Sequence, residues 1–252
     1  MSKQAHFRFY EELNDFLPPE RRKREFSYNF TGKPTVKDAV ESLGVPHAEI
    51  DLIIVNGEPE GFDHHLKEGD QVSVYPVFES FDISPVNRLR PEPLRDPKFI
   101  LDVHLGKLAQ YLRMLGFDTL FSNSYEDPEI VRTAVRQKRI ILTRDVNLLK
   151  HNAVTHGYWV RSTDPDEQIV EIIGRFDLSG RIAPFTRCMV CNGIVSPAAK
   201  ESVRHLLEES TARYYDEFFQ CGSCEKVYWR GSHHENMERF IAEVMERLAR
   251  KA

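Results

Sequence analysis

Four cysteines constrain this chain more than any other feature. They fall in two pairs, Cys188-Met-Val-Cys191 and Cys221-Gly-Ser-Cys224, and none occurs before residue 188. The opening Met1-Ser-Lys-Gln-Ala-His6 lacks an apolar stretch of the kind that exports a protein, which predicts a cytoplasmic location. Disulfides are disfavoured there. Two CxxC pairs then predict one structural Zn2+ held by four thiolates, a set that leaves no open position for catalysis. The alternatives are two redox pairs or unrelated buried thiols. The 29 residues between the pairs exceed the usual spacing, so an insertion has to loop out of the zinc ribbon.

Residues 79–97 contain Pro85, Pro91, Pro93 and Pro97 without apolar periodicity, which predicts a linker. Charge divides around it. The 252 residues carry 34 basic and 39 acidic side chains, net -5. Residues 1–78 hold 9 and 14, residues 98–186 hold 12 and 11, and residues 187–252 hold 10 of each, so the acidity belongs to the first segment. That excludes a broadly basic nucleic-acid coat but not a local basic site. No run of 18 apolar residues is present, which predicts no membrane span.

Residues 1–78 read as a small α+β domain. Phe7–Tyr10 and Arg24–Phe30 alternate like strands around the turn-rich Leu17-Pro-Pro-Glu20. Thr35-Val-Lys-Asp38 resembles a capping box and opens a helix that stops at Gly44. Leu52–Val55 runs into the hairpin signal Asn56-Gly57, and Gln71–Tyr75 is a last strand. Two strands, a helix and two more strands is the β-grasp order. The basic run Arg21-Arg-Lys-Arg24 can touch phosphate or form a solvated hairpin tip.

Residues 98–186 alternate strand and helix, which predicts an α/β fold: a parallel sheet with flanking helices and right-handed crossovers. The strands are Lys98–Val103, Asp118–Phe121, Arg139–Thr143 and Tyr158–Arg161. The helices are His104–Leu115, Pro128–Gln137 and Asp166–Phe176. Sites in such sheets form at the carboxyl ends of the strands. Acids occur after each strand: Asp102, Asp127, Asp145, and Asp164 or Asp166. Grouped carboxylates repel unless a divalent cation lies among them, and hard oxygens suit Mg2+ or Mn2+. The competing reading is helix capping, for which Asp127, Asp164 and Asp166 are well placed. Asp102 interrupts the apolar run Phe99-Ile-Leu-Asp-Val-His-Leu105, where a carboxylate needs a partner.

Two resemblances follow from these runs. Val55-Asn-Gly-Glu-Pro59 with Leu66-Lys-Glu-Gly-Asp-Gln-Val-Ser-Val-Tyr-Pro76 resembles the ubiquitin-like sulfur carriers of thiamine and molybdopterin synthesis. Those act through a free C-terminal Gly-Gly, whereas this strand continues into Val77-Phe-Glu-Ser80 and the linker. That disfavours a sulfur-transfer role and points to docking or packing, with a protein partner for the β-grasp domain. The block Phe99 to Leu120, the run Arg139-Ile-Ile-Leu-Thr-Arg-Asp145 and the run Cys221 to His233 resemble the RNase family named for the C-terminus of the exonuclease mut-seven. The resemblance implies a PIN-like nuclease fold fused to a zinc ribbon, behind a ubiquitin-like domain. It also implies metal-dependent RNA cleavage, with Asp102, Asp127 and Asp145 as the matching acids.

The chain therefore divides into a β-grasp domain at 1–78, a linker at 79–97, a PIN-like domain at 98–186 and a zinc ribbon with a C-terminal helix at 187–252. Lys107, Arg113, Arg144 and Arg230 are candidate RNA phosphate contacts, and Arg113 can instead snorkel over the core. Tyr158 and Trp159 can stack a base or belong to the core. Ser232-His-His-Glu235 reads as a capping box. The expected function is a divalent-metal-dependent ribonuclease, and the alternative is a non-catalytic RNA-binding or adaptor protein.

Overall fold

Local signals set the elements of the first segment. A computed structural model describes residues 2–78, 85–89 and 97–250, so most of the proline-rich linker lies outside the described residues. Strands β1 (Lys3–Phe9) and β2 (Phe26–Phe30) are antiparallel and joined through two short 3-10 helices. Helix α1 (Val36–Ser42) starts at Thr35, whose hydroxyl accepts from the Asp38 N–H, while the Asp38 carboxylate accepts from the Thr35 N–H at 2.8 Å. The reciprocal box satisfies two of the donors a helix start leaves open. Strand β3 (Ile50–Val55) turns through Asn56 at φ 53 and Gly57 at φ 91 into β4 (Glu58–Glu60). Both turn residues are left-handed, the requirement that makes Asn-Gly a hairpin signal.

Strand β5 (Gln71–Pro76) then enters the sheet beside β1, parallel to it, giving the order β2-β1-β5-β3-β4. This is the β-grasp arrangement expected from the sequence. Phe7, Phe9, Val40, Ile53 and Val74 are at most 1% exposed and form its core with the inner face of α1. Each such side chain contributes about 1.5–3 kcal/mol by burial.

The next segment alternates as expected. Strand β6 (Phe99–Leu101) leads through a 3-10 turn into helix α2 (Gly106–Met114) and strand β7 (Thr119–Leu120). Helix α3 (Asp127–Gln137), strand β8 (Ile140–Thr143), a short helix α4 (Val146–Leu149), strand β9 (Gly157–Trp159) and helix α5 (Pro165–Arg175) follow. Strand β7 pairs parallel with β6, and β9 pairs parallel with β8. Beyond them lie β10 (Val195–Ala198), the short helices α6 (Lys200–Val203) and α7 (Glu209–Tyr214), β11 (Phe218–Cys221), β12 (Val227–Trp229) and a long helix α8 (Ser232–Ala249). The expected insertion between the cysteine pairs is thus partly helical. Strands β10, β11 and β12 form an antiparallel ribbon in that order.

The described chain forms two compact units, residues 1–97 with 127–159, and residues 98–126 with 160–252. In the first unit, the loop before β3 packs on the α4–β9 region. The Trp159 N–H donates to the Glu49 carboxylate, and Lys150 Nζ donates to the Glu41 carbonyl at 3.0 Å. His47 has Nδ1 at 2.5 Å from Glu41 Oε1 and Nε2 at 2.9 Å from the Val154 carbonyl. The Trp159 ring lies 5.2 Å from Phe16. These contacts correct the base-stacking expectation. Trp159 is a packing residue for the β-grasp domain, and Tyr158 is 5% exposed.

In the second unit, α2 ends at Gly116, which has φ 96. The chain returns there: the Ala183 N–H donates to the Leu115 carbonyl and the Phe185 N–H to the Met114 carbonyl, both at 2.9 Å. These bonds satisfy carbonyls that the helix end leaves open. A Cβ at Gly116 would stand 2.3 Å from the Ala183 carbonyl oxygen. The capping box expected at Ser232 does not form. Gly231 is the N-cap and Ser232 is already helical.

Gly116→Ala forces a left-handed alanine against a backbone oxygen. It is expected to lower stability by about 2–4 kcal/mol, measured by urea unfolding with an unchanged slope. A loss below about 0.5 kcal/mol contradicts this packing.

Candidate functional site

The two cysteine pairs sit on matching turns. In the first, the Cys188 N–H donates to the Gly193 carbonyl and the Asn192 N–H to the Cys188 carbonyl. In the second, the Cys221 N–H donates to the Lys226 carbonyl and the Glu225 N–H to the Cys221 carbonyl. The residue after the second cysteine is left-handed in each, Asn192 at φ 70 and Glu225 at φ 60. A backbone N–H points at sulfur in both, Gly193 to Cys191 and Ser223 to Cys221, each at 3.4 Å. Gly193 permits the approach, since a Cβ there would lie 2.8 Å from Cys221 Sγ.

The turns bring Cys188, Cys191, Cys221 and Cys224 together, with all four sulfurs within 4.8 Å of one another. Cys188 and Cys224 are 3.6 Å apart, and Cys191 and Cys221 are 3.4 Å apart. A tetrahedral ion with bonds of about 2.3 Å needs sulfurs about 3.8 Å apart, so the cluster fits one metal ion. Burial works against the Cys188 thiolate, but the Tyr228 hydroxyl, at 3.0 Å, and nearby N–H groups outweigh it and bring the thiol down to about 6. Burial and the neighbouring sulfurs push Cys191 up to about 12. Four adjacent thiols do not all ionise without a cation to compensate them, and soft thiolates select zinc over hard cations.

Arg113 departs from its expected role as a phosphate contact. It is 4% exposed. Its Nε–H donates to the Thr119 carbonyl at 2.9 Å, and Nη1 donates to the Met189 and Val190 carbonyls at 3.2 and 2.9 Å. Asn192 completes this tie: Thr119 N–H donates to its Oδ1 at 2.9 Å, and its Nδ2 donates to Asp118 at 2.8 Å. The main-chain N–H and C=O of Thr119 are therefore both taken by side chains that hold the first cysteine turn. No sequence pattern linked Arg113 to Met189. The Asn192-Gly193 dipeptide was the available signal for a left-handed turn there.

Each candidate acid begins a helical element. Asp102 directly follows β6, is 7% exposed, and accepts from the Val103 N–H at 2.6 Å. Asp164 caps α5, accepting from the Asp166 N–H at 2.9 Å. Asp145 caps α4, accepting from the Asn147 N–H at 2.8 Å, and Asp127 is the first residue of α3. Both are exposed. In the first unit, α3 precedes β8 and packs on it. In the second, Asp166 accepts from the Tyr111 hydroxyl at 2.7 Å. Burial and that carboxylate raise the Tyr111 phenol well above its ordinary value.

Of the remaining basic candidates, Lys107 is exposed with its ammonium 4.8 Å from the Tyr111 ring centroid. Arg144 is half-buried, and its carbonyl accepts from the Trp159 indole N–H. Arg230 is exposed and lies 3.5 Å from Glu217. His104 is exposed on the 3-10 turn. In the 21–24 run, Arg22 donates to the Leu17 carbonyl at 2.7 Å and Arg21 lies over Phe26, so two of its charges brace the hairpin. Among the described residues, no helix is long and apolar enough to cross a membrane.

Residues 97–241 match the Mut7-C RNAse domain family, and residues 2–82 match the Mut7-C ubiquitin family. The chain belongs to the Mut7-C RNase family and carries its ubiquitin-like domain in front. Two crystal structures of small archaeal modifier protein 1 from Haloferax volcanii are similar to it. One is 17% identical with a TM-score of 0.24, covering 29% of this chain and 97% of that one. The other is 16% identical with a TM-score of 0.25, covering 31% and 99%. No curated protein matches the chain.

Arg113→Ala strands the Thr119, Met189 and Val190 carbonyls. It is expected to cost about 1–3 kcal/mol of stability, and Arg113→Lys not to restore it, because one ammonium cannot reproduce the planar fork. Thermal unfolding of the three proteins measures this. Full stability in the alanine variant contradicts the bracing role.

Proposed function

We propose that this chain is a ribonuclease that hydrolyses RNA phosphodiesters with Mg2+ or Mn2+, and that its four cysteines hold a structural Zn2+. The observation that carries the reading is the RNase-domain match, which spans all four candidate acids, with Asp102 buried where β6 ends. Asp102, Asp127, Asp145 and Asp164 are the proposed ligands of divalent cations, since hard carboxylate oxygens suit such ions and thiolates do not. Such a cation supplies Lewis-acid polarisation and a more acidic bound water. The chain's own cations, Lys107, Arg144 and Arg230, would contact RNA phosphates.

The division into a β-grasp domain at 1–78, a PIN-like domain at 98–186 and a zinc ribbon at 187–252 is then a division of labour. The first domain would recruit a protein partner, the second cut, and the third hold RNA. We place this work in the cytoplasm. The second reading is a non-catalytic RNA-binding or adaptor protein. It is favoured by one observation: Asp102, Asp145 and Asp164 each already spend an oxygen on a helix cap.

Cleavage of a mixed RNA pool distinguishes the two. Wild-type protein in divalent-free buffer is expected to be inactive, and to cut on addition of Mg2+ or Mn2+. Asp102→Asn and Asp145→Asn are expected to lower the rate by about 100-fold or more, as loss of a metal ligand does. Full activity in either variant sinks the assignment of that residue, and no cleavage by any protein favours the adaptor. Elemental analysis is expected to give one zinc per chain, unchanged in the aspartate variants and lost in Cys221→Ser, whose thermal stability falls with it. A zinc-free, fully stable wild type contradicts the structural site.

A further inference from the structure

The second unit contains a cavity of about 250 Å3 on the ribbon, beside the cysteine cluster. Its walls include the rings of Phe185, Phe219, Tyr228 and Trp229, and its charged lining residues are Arg187 and Arg230. The walls are fixed by contacts already described or by pairing within the ribbon. Tyr228 is held by the Cys188 sulfur, and Phe219 faces Tyr228 across the β11–β12 pair. Phe185 is tied to the end of α2, and the His234 ring lies over it at 4.3 Å. Arg187 is held by the Asn192 carbonyl at 3.0 Å and by Asp118 at 3.6 Å. Trp229 remains 38% exposed, and Arg230 meets Glu217 only across open surface, a pairing worth little in water.

We propose that this cavity binds one unpaired nucleotide of single-stranded RNA, with the base against Trp229 and its neighbouring rings and the adjoining phosphate at Arg230 and Arg187. The proposal rests on the RNase reading and supplies its substrate class. Size, rings and charge agree. The cavity falls short of the roughly 300–1,000 Å3 that drug-sized ligands occupy, so it suits one flat group rather than a whole cofactor. Aromatic walls accept the face of any base, and the two guanidinium groups complement phosphate. A base inside a duplex is stacked on both faces and cannot enter, which selects single strands, loops and ends.

The test is binding of a fluorescein-labelled 12-nucleotide unstructured RNA to the full chain. Anisotropy is read without Mg2+ or Mn2+, so that no cleavage intervenes. Trp229→Ala is expected to weaken binding about tenfold, within the range for loss of one stacked base. Trp229→Phe keeps a ring and is expected to stay within about threefold. Arg230→Ala is expected to reduce the slope of log affinity against log salt by about 0.7, one phosphate on a single strand. A blunt duplex of the same sequence is expected to bind wild type and Trp229→Ala alike.

Zinc content and melting temperature establish that Trp229→Ala is folded. If it is not, the exposed Arg230 variant carries the test. Unchanged affinity in a folded Trp229→Ala, an unchanged salt slope in Arg230→Ala, or an equal loss on duplex each overturns the proposal. So does displacement of the RNA by an apolar peptide with no effect of either variant, which would make the cavity a protein-docking site. Asp102→Asn separates the two claims: it is expected to bind this RNA normally while failing to cut. A pocket failure with intact metal-dependent cleavage leaves the RNase reading standing.

Discussion

The second unit depends on Thr119. Its N–H and C=O point away from the β6–β7 pair and are met by Asn192 and Arg113. Both side chains belong to, or grip, the first cysteine turn. Two main-chain groups of a buried residue cannot be left unmet without a cost of about 1–3 kcal/mol each. The cysteine cluster therefore does more than close a ribbon, because its turn completes the edge of the strand that follows α2. The return of residues 183–185 to the end of α2 fixes the same region from the other side. The cysteine cluster, the helix end and the ribbon cavity all lean on this one set of bonds.

The first unit has its own version of the same device. The short loop His47–Glu49 presents buried polar side chains to the α4–β9 region, and the Trp159 N–H is met by Glu49 rather than by another strand. A β-strand edge exposed to solvent invites unwanted pairing, and a side-chain carboxylate blocks it. The ubiquitin-like domain thus has a packing role within the chain. Its last strand ends at Pro76, and the chain runs on into Val77 and Phe78 rather than stopping at a Gly-Gly.

What was legible in the sequence was local or periodic. The Thr35–Asp38 box, the Asn56-Gly57 turn and the helix stop at Gly116 each report the conformation of their own few residues. The CxxC pairs announced their partners because two thiols three apart can hold only a small set of things. What was illegible depended on residues far away in the chain. Arg113 resembled a surface cation until Met189 and Val190 supplied carbonyls for it, and Trp159 resembled a base platform until Phe16 and Glu49 packed against it. At Ser232 the local pattern failed by one residue, since the helix already includes Ser232 and Gly231 is its N-cap. Helix α4, only four residues long, carries too little periodicity to be seen.

The acids lie between these cases. Their places after strands were readable, and so was the competing role as caps, and both hold at once in Asp102, Asp145 and Asp164. A carboxylate has two oxygens, so one can cap a helix while the other remains for a cation. The net charge of -5 then says little against an RNA substrate, because it belongs to the β-grasp segment. The most direct measurement is calorimetric titration of the zinc-loaded chain with Mn2+, compared with its Asp102→Asn variant. Metal-assisted hydrolysis predicts a saturable heat in the wild type that is lost or strongly weakened in the variant. Equal heats in both, or none in either, would contradict it.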